Sequence, residues 1–269
     1  MKSVIFIIRE NISNAYKIFS IAKYELLAEM RESRLGVFWN FANPIIQIAT
    51  YALIFVALRN GRPVRGVSFL PWLVVGVTVW FFINPCITKG ASCIYDKRNI
   101  VLKMKFPVSI LPLVTVMKEL FNHVLMLMIV VVILVIRGHV PNMYWLQTFY
   151  YMFCAICFST SLAMVTSVLN MFTRDVKKLI KACMRMLMYL TPILWTLDTV
   201  VSFFPKLEYV MKANPIYYII EGYRGSLFFQ DAFFNHPAQT LFFWGIVLSL
   251  FVVGCILMYR FKHKFSDLF

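Results

Sequence analysis

The stretch SILPLVTVMKELFNHVLMLMIVVVILVI, residues 109–136, decides the fold class. A helix needs about 20 apolar residues to cross a hydrocarbon layer of about 30 Å. This run exceeds that length, and Lys118 and Glu119 are its only formal charges. Working outward, runs at 37–58, 70–88, 144–171 and 240–259 have the same character, and a run at 179–198 is interrupted early by Lys181 and Arg185. Turn residues and charges separate them, as in RNGRPVRGVSF (59–69) and RGHVPNM (137–143). The pattern predicts an all-α integral membrane protein with six transmembrane helices.

Composition agrees. Hydrophobic residues make up 61% of the 269 and charged residues 14%. Soluble domains are nearer 45–50% apolar and about 25% charged, so lipid must cover much of the surface. The net charge of +15 raises nucleic acid as a partner. Its distribution points elsewhere. With the N-terminus inside, 19 of the 27 Lys and Arg fall in cytoplasmic segments and 7 in outer ones, with Lys118 inside a span. That asymmetry predicts both termini in the cytoplasm and anionic lipid, not nucleic acid, beside the basic face. The first 35 residues carry ten charges and no cleavable leader pattern. The six cysteines suggest no external disulfide framework. Cys154 and Cys157 form a C-x-x-C inside an apolar run, which reads as helix packing.

Residues 12–34 read as an interfacial helix, with Ile12, Tyr16, Phe19, Leu26, Leu27 and Met30 on an apolar face. Glu25, Glu29 and Glu32 form an acidic strip on another face. The strip is either solvated or turned toward a protein partner. Residues 199–236 hold aromatic-rich apolar pieces, FFP, NPIYYIIEGYRG and LFF, each too short to span. They predict re-entrant or interfacial half-helices on the outer side, with Tyr217, Tyr218, Glu221, Tyr223 and Arg224 as gate residues. Such backbone is tolerated only where protein or a wet cavity satisfies it. With no repeat or linker evident, residues 1–269 read as one domain.

The ten glycines include none followed by lysine, so the phosphate loop G-x-x-x-x-G-K-S/T is absent and any ATP hydrolysis belongs to another chain. No metal-ligand or paired-carboxylate motif stands out, which disfavours a membrane glycosyl- or phosphotransferase. One polar patch sits in a span. Glu119 faces His123, and Lys118 faces Asn122, at i, i+4 spacing. A charge at a helix centre costs about 2.5–3.5 kcal/mol, so the patch is either near the interface or packed on protein or water. An ion-coupled carrier using Glu119 and His123 is the rival from another class. Lys177, Lys181, Arg185 and Tyr189 recur at four-residue spacing. They form either a cationic ladder for an anionic headgroup or ordinary snorkelling side chains. Phe38, Trp39, Tyr51, Phe55, Tyr189 and Trp195 are candidates for a sugar-stacking conduit, or simply helix-packing aromatics.

The segments RESRLGVFWNFANP (31–44), FPVSILPL (106–113), YLTPILW (189–195) and NPIYYIIEGYRGSLFF (214–229) together resemble the permease subunits of ABC-2-type polysaccharide exporters. INPCITKGASCIYDKRNIVLKMKFPVSILP (83–112) is most similar to teichoic-acid translocation permeases. The resemblance implies a homodimer of this chain with two copies of a separate ABC ATPase. ATP and Mg would be held by that ATPase, with no cofactor, metal or catalytic residue here. It implies a coupling helix at 93–106, carrying Tyr95, Asp96, Lys97, Arg98, Asn99, Leu102 and Lys103, which with Glu25, Glu29 and Glu32 would meet the ATPase. The substrate would be a polyprenyl-diphosphate-linked glycan such as wall teichoic acid. Arg31, Arg34, Lys177, Lys181 and Arg185 would engage its headgroup. O-antigen, capsule, and drug or lipid export are the alternatives within the class.

Overall fold

The computed structural model describes residues 2–31, 35–58, 63–98, 106–197 and 205–262. Among them, helices α1 (Lys2–Ser13) and α2 (Ala15–Arg31) precede α3 (Gly36–Leu58) and α4 (Phe69–Gly90). A short α5 (Cys93–Asp96) follows, then a 3-10 turn leading into α6 (Leu111–Ile136). A second 3-10 turn leads into α7 (Gln147–Phe172), followed by α8 (Asp175–Leu190). Then come α9 (Leu207–Lys212), α10 (Pro215–Arg224) with a π turn at Gly225–Phe229, and α11 (Pro237–Phe261). No strand occurs among the described residues.

Four helical segments are long and apolar enough to cross a membrane: Phe69–Gly90, Val108–Ile136, Met143–Phe172 and Pro237–Phe261. Each matches a predicted span to within a few residues. The run at 37–58 is the helix Gly36–Leu58, whose apolar part is Ala42–Phe55. The run at 179–198 takes a different form. Its helix starts earlier, at Asp175, and stops at Leu190, giving 16 residues. At 1.5 Å per residue that is about 24 Å, short of a full hydrocarbon crossing. Pro192 lacks the amide that would continue the ladder. The lead-in also differs from one helix over 12–34: the chain breaks at Asn14 into α1 and α2, and Asn14 Nδ2 donates back to the Glu10 carbonyl at 2.7 Å.

The bundle is organised around α4. In its most apolar window 78% is buried inside the protein, against 28% in α6 and in α11, so α4 is central and the other two are peripheral. Long runs of Val, Leu and Ile around the whole of α6 and α11 suit lipid on one side and protein on the other. Helix α7 packs along α11 and α4 and carries buried Ala155, Ser159, Ser161, Ala163 and Ser167. Small residues allow close helix approach in a membrane. Gly90 of α4 lies against Ala163, and Gly254 of α11 lies against Met164, both on α7. Helix α2 seats Ile18 and Ala22 against Ile110 and Val114 at the start of α6. Of the apolar face predicted for the lead-in, Leu26 is buried, whereas Ile12, Tyr16 and Phe19 remain exposed.

Candidate functional site

Helices α3, α4, α6 and α8 line a partly open cavity of about 540 Å³. Two prolines stand beside it, Pro44 of α3 and Pro85 of α4. Pro85 cannot donate to the carbonyl four residues back, so Phe81, also in the wall, lacks its helical donor. The wall mixes amides from Asn43, Gln47, Asn84 and Asn122 with rings from Tyr51, Trp80, Phe82 and Tyr189. Lys89, Glu119 and Arg185 are its formal charges. Tyr51, Arg185 and Tyr189, singled out from the sequence for a conduit, therefore meet here. Phe38 and Trp39 do not; both are exposed at the start of α3, edge to face at 5.5 Å. Phe55 packs half-buried on the core, and Trp195 Nε1 donates to the Tyr189 carbonyl at 2.8 Å.

An ion network closes one end of the cavity. Lys89 Nζ is 2.8 Å from Glu119 and 3.6 Å from Glu29. Lys118 is 3.0 Å from Glu29 and 3.7 Å from Glu119. The pairing of Glu119 with His123 expected from helical spacing is replaced by Lys89, whose ammonium compensates the buried carboxylate better than a neutral imidazole. Burial pushes the Glu29 carboxyl upward, but Lys89 and Lys118 outweigh it and hold it below the ordinary value. Four residues earlier on α2, Glu25 pairs with Lys97 at 2.5 Å. The acidic strip is thus satisfied within the chain at both described positions. Arg31 is exposed; Glu32 and Arg34 lie outside the described residues, as do Asn99, Leu102 and Lys103.

The short α5 is tied to α8 as well as to α2. The guanidinium groups of Arg98 and Arg174 each lie 4.7 Å from the centroid of the Tyr95 ring. Asp96 accepts from the Ser92 hydroxyl at 2.6 Å and stands 3.5 Å from Lys177. Asn170 caps the start of α8 by accepting from the Lys177 amide at 3.1 Å. From that anchored base the ladder climbs: Lys181, Arg185 and Tyr189 are exposed along α8, and the last two reach the cavity wall.

Behind His123 of the cavity wall stands α10. Asn214 accepts from the Ile216 amide at 2.9 Å and Pro215 sits at the first turn, which starts the helix. At ten residues it is about 15 Å long, too short to span. The predicted gate residues are mostly buried: Tyr217, Tyr218, Tyr223 and Arg224, with Glu221 half-buried. The Tyr223 hydroxyl is 2.9 Å from His123 Nε2. Tyr218 bonds Tyr150 at 3.2 Å and Thr240 at 3.0 Å, while Trp244 donates to Tyr150. Arg224 is fully buried. It donates to the carbonyls of Trp72, Pro192 and Ile193 at 3.3, 2.8 and 2.9 Å, and to Glu221 at 2.9 Å. Two of those carbonyls belong to the broken end of α8, where the helix can no longer supply donors. The role of Arg224 as an anchor, and of Lys89 as the partner of Glu119, was not anticipated. An arginine among aromatic and aliphatic neighbours was the available signal for the first.

With this geometry in view, the chain belongs to the ABC-2 type transporter family, which matches residues 16–228. It is 26% identical over 250 residues to the O-antigen export system permease protein RfbA of Klebsiella pneumoniae, covering 92% of this chain and 93% of that one. It is also 26% identical over 228 residues to the protein of the same name from Myxococcus xanthus, covering 84% and 85%. Multi-pass membrane insertion and a transport role follow from the family and the apolar helices together.

Proposed function

We propose that this chain is the permease subunit of an ATP-driven exporter of lipid-linked polysaccharide, working as two copies with two copies of a separate ABC ATPase. One observation carries the reading: helix α2 spans from a polar, aromatic-lined cavity, where Glu29 meets Lys89 and Lys118, to the loop at 93–98, where Glu25 meets Lys97. Both termini face the cytoplasm in this scheme. The ATPase holds ATP and Mg and presses on the α5 loop; this chain makes and breaks no bond in the substrate. Glu25, Glu29 and the α5 residues pass the displacement to Lys89 and Glu119 at the cavity. Lys181 and Arg185 guide a diphosphate headgroup, and α10 with its flanking turns gates the outer side.

The names of the relatives favour a glycan of the O-antigen type. The narrower teichoic-acid expectation has no support among them. The ion-coupled alternative loses its main feature, since Glu119 is neutralised by Lys89. The test is co-purification with the ATPase, followed by reconstitution with lipid-linked glycans of both kinds. ATP-dependent protection of the glycan inside vesicles is the expected result. Proton-driven uptake by this chain alone overturns the proposal.

A further inference from the structure

Four amides stand in the wall of the central cavity, Asn43 and Gln47 from α3, Asn84 from α4 and Asn122 from α6. Gln47 lies eleven residues beyond the start of α3 at Gly36, and Asn122 eleven beyond the start of α6 at Leu111. At 1.5 Å per residue each is about 16 Å along its helix, near the middle of a hydrocarbon layer of about 30 Å. An amide at that depth ordinarily bonds across to another helix, because lipid offers it no partner. Among the described residues, none of these four side chains bonds another group of the chain. Asn43 and Gln47 are exposed and Asn84 and Asn122 half-buried, so an occupant of the open cavity can reach all four.

The rest of the wall defines that occupant. Tyr51 follows Asn43 and Gln47 at four-residue steps on α3, and Tyr189 brings a second, exposed ring from α8. Lys89 and Glu119 pair with each other at 2.8 Å, so no carboxylate of the wall is left over for a cation. Each amide offers two donors and an acceptor in one plane, which matches neighbouring hydroxyls. Rings offer an apolar face beside them. The combination suits a neutral ring with several hydroxyls and a C–H face, which is a pyranose.

We propose that the four amides, with the rings of Tyr51 and Tyr189, bind the first sugar of the glycan, the one joined to the diphosphate. The proposal rests on the reading of this chain as a permease for lipid-linked polysaccharide and names the group recognised beside the headgroup. Lys181, Arg185 and Tyr189 are all exposed and follow one another along α8 at four-residue steps, about 6 Å each. A diphosphate held by Lys181 and Arg185 therefore places its attached sugar one step further on, at Tyr189 and among the amides. The cation and the amides divide the work: Arg185 takes charge, which every such substrate carries, and the amides read hydroxyls, which the sugar alone supplies.

The experiment measures binding to the full-length chain in lipid nanodiscs. The probes are farnesyl diphosphate and its conjugates carrying glucose or galactose. At least one sugar-bearing probe should bind about tenfold more tightly than bare farnesyl diphosphate, as two or more neutral hydrogen bonds provide. Q47L and N122L should each remove about three- to tenfold of that preference, whereas R185Q should weaken all the probes alike and preserve it. Because these amides bond nothing else in the chain, Q47L and N122L should also keep the wild-type thermal midpoint. A lowered midpoint marks the amides as structural and overturns the site. Equal affinity for all the probes, or a preference unchanged in Q47L and N122L, reduces the cavity to an anion site and overturns the proposal as well. ATP-dependent export by a chain that shows no sugar preference removes the site and leaves the permease reading standing. A sugar preference in a chain that recruits no ATPase does the reverse.

Discussion

The guanidinium carbon of Arg224 lies 3.4 Å from the centroid of the Trp72 ring, so the buried cation is held by a ring face as well as by carbonyl oxygens. A planar cation that stacks and donates in several directions is what this position requires. Arg224→Met leaves the Pro192 and Ile193 carbonyls without donors. It should cost about 3–5 kcal/mol, as breaking a buried ion pair does. Arg224→Lys should not restore stability, because an ammonium cannot reach the separate carbonyls. Thermal loss of helical circular dichroism checks both; a wild-type midpoint for the lysine variant contradicts the prediction.

Two glycines make the close packing at α10 testable. A Cβ at Gly76 meets the Arg224 guanidinium, and one at Gly222 meets the Tyr151 ring, whereas one at Gly245 meets nothing within 4 Å. G76A and G222A should each destabilise by about 1–3 kcal/mol through overpacking. G245A, at a position with open space, should stay within about 0.5 kcal/mol of wild type. Equal midpoints for all three would remove the argument.

The Glu25–Lys97 pair links α2 to the α5 loop. E25K or K97E alone should lower ATP-driven transport and loosen the loop to protease, and the double exchange E25K/K97E should recover most of both. Failure of the double exchange to recover either property shows that the pair is not the link.

Acid should release Glu29 selectively. Its carboxyl is held below the ordinary value in the folded protein. The unfolded chain therefore takes up the proton first as pH falls, and the stabilisation is full above the unfolded value, near 4.5. It is lost as pH drops through the lower folded value. Hydrogen exchange over 15–31 should accelerate below about pH 4.5 in the wild type, while E29Q should show little change across that window. An identical acid response in E29Q rules out this carboxylate as the cause.

Charge reversal on the ladder separates guidance from snorkelling. K181E or R185E should reduce flux of a lipid-linked glycan at least about tenfold, a barrier change of about 1.4 kcal/mol. Normal flux in correctly folded, reconstituted protein means that these cations only anchor α8 at the interface.

The membrane body was legible in the sequence because lipid imposes length and apolarity on each crossing, so 70–88, 109–136, 144–171 and 240–259 could be read directly. Helix ends fixed by distant contacts were not. The stop of α8 at Leu190 depends on Pro192 and on carbonyls received by Arg224, 31 and 32 residues away in sequence. Local spacing paired Glu119 with His123, yet its partner Lys89 comes from another helix 30 residues earlier. Periodicity sees one helix at a time. Contacts between helices chose the partners, which is why spacing named Tyr51 and Tyr189 of the cavity wall but neither Trp80 and Phe82 beside them nor the Lys89–Glu119 pair.

The reach of Arg224 also constrains biogenesis. Its acceptors lie 152 residues upstream at Trp72 and 31–32 residues upstream at Ile193 and Pro192. An unpaired guanidinium is costly in hydrocarbon, so residues 214–229 can settle only after α4 and α8 are already inserted and adjacent. A chain whose α4 or α8 end is misplaced leaves that buried cation without its carbonyl acceptors.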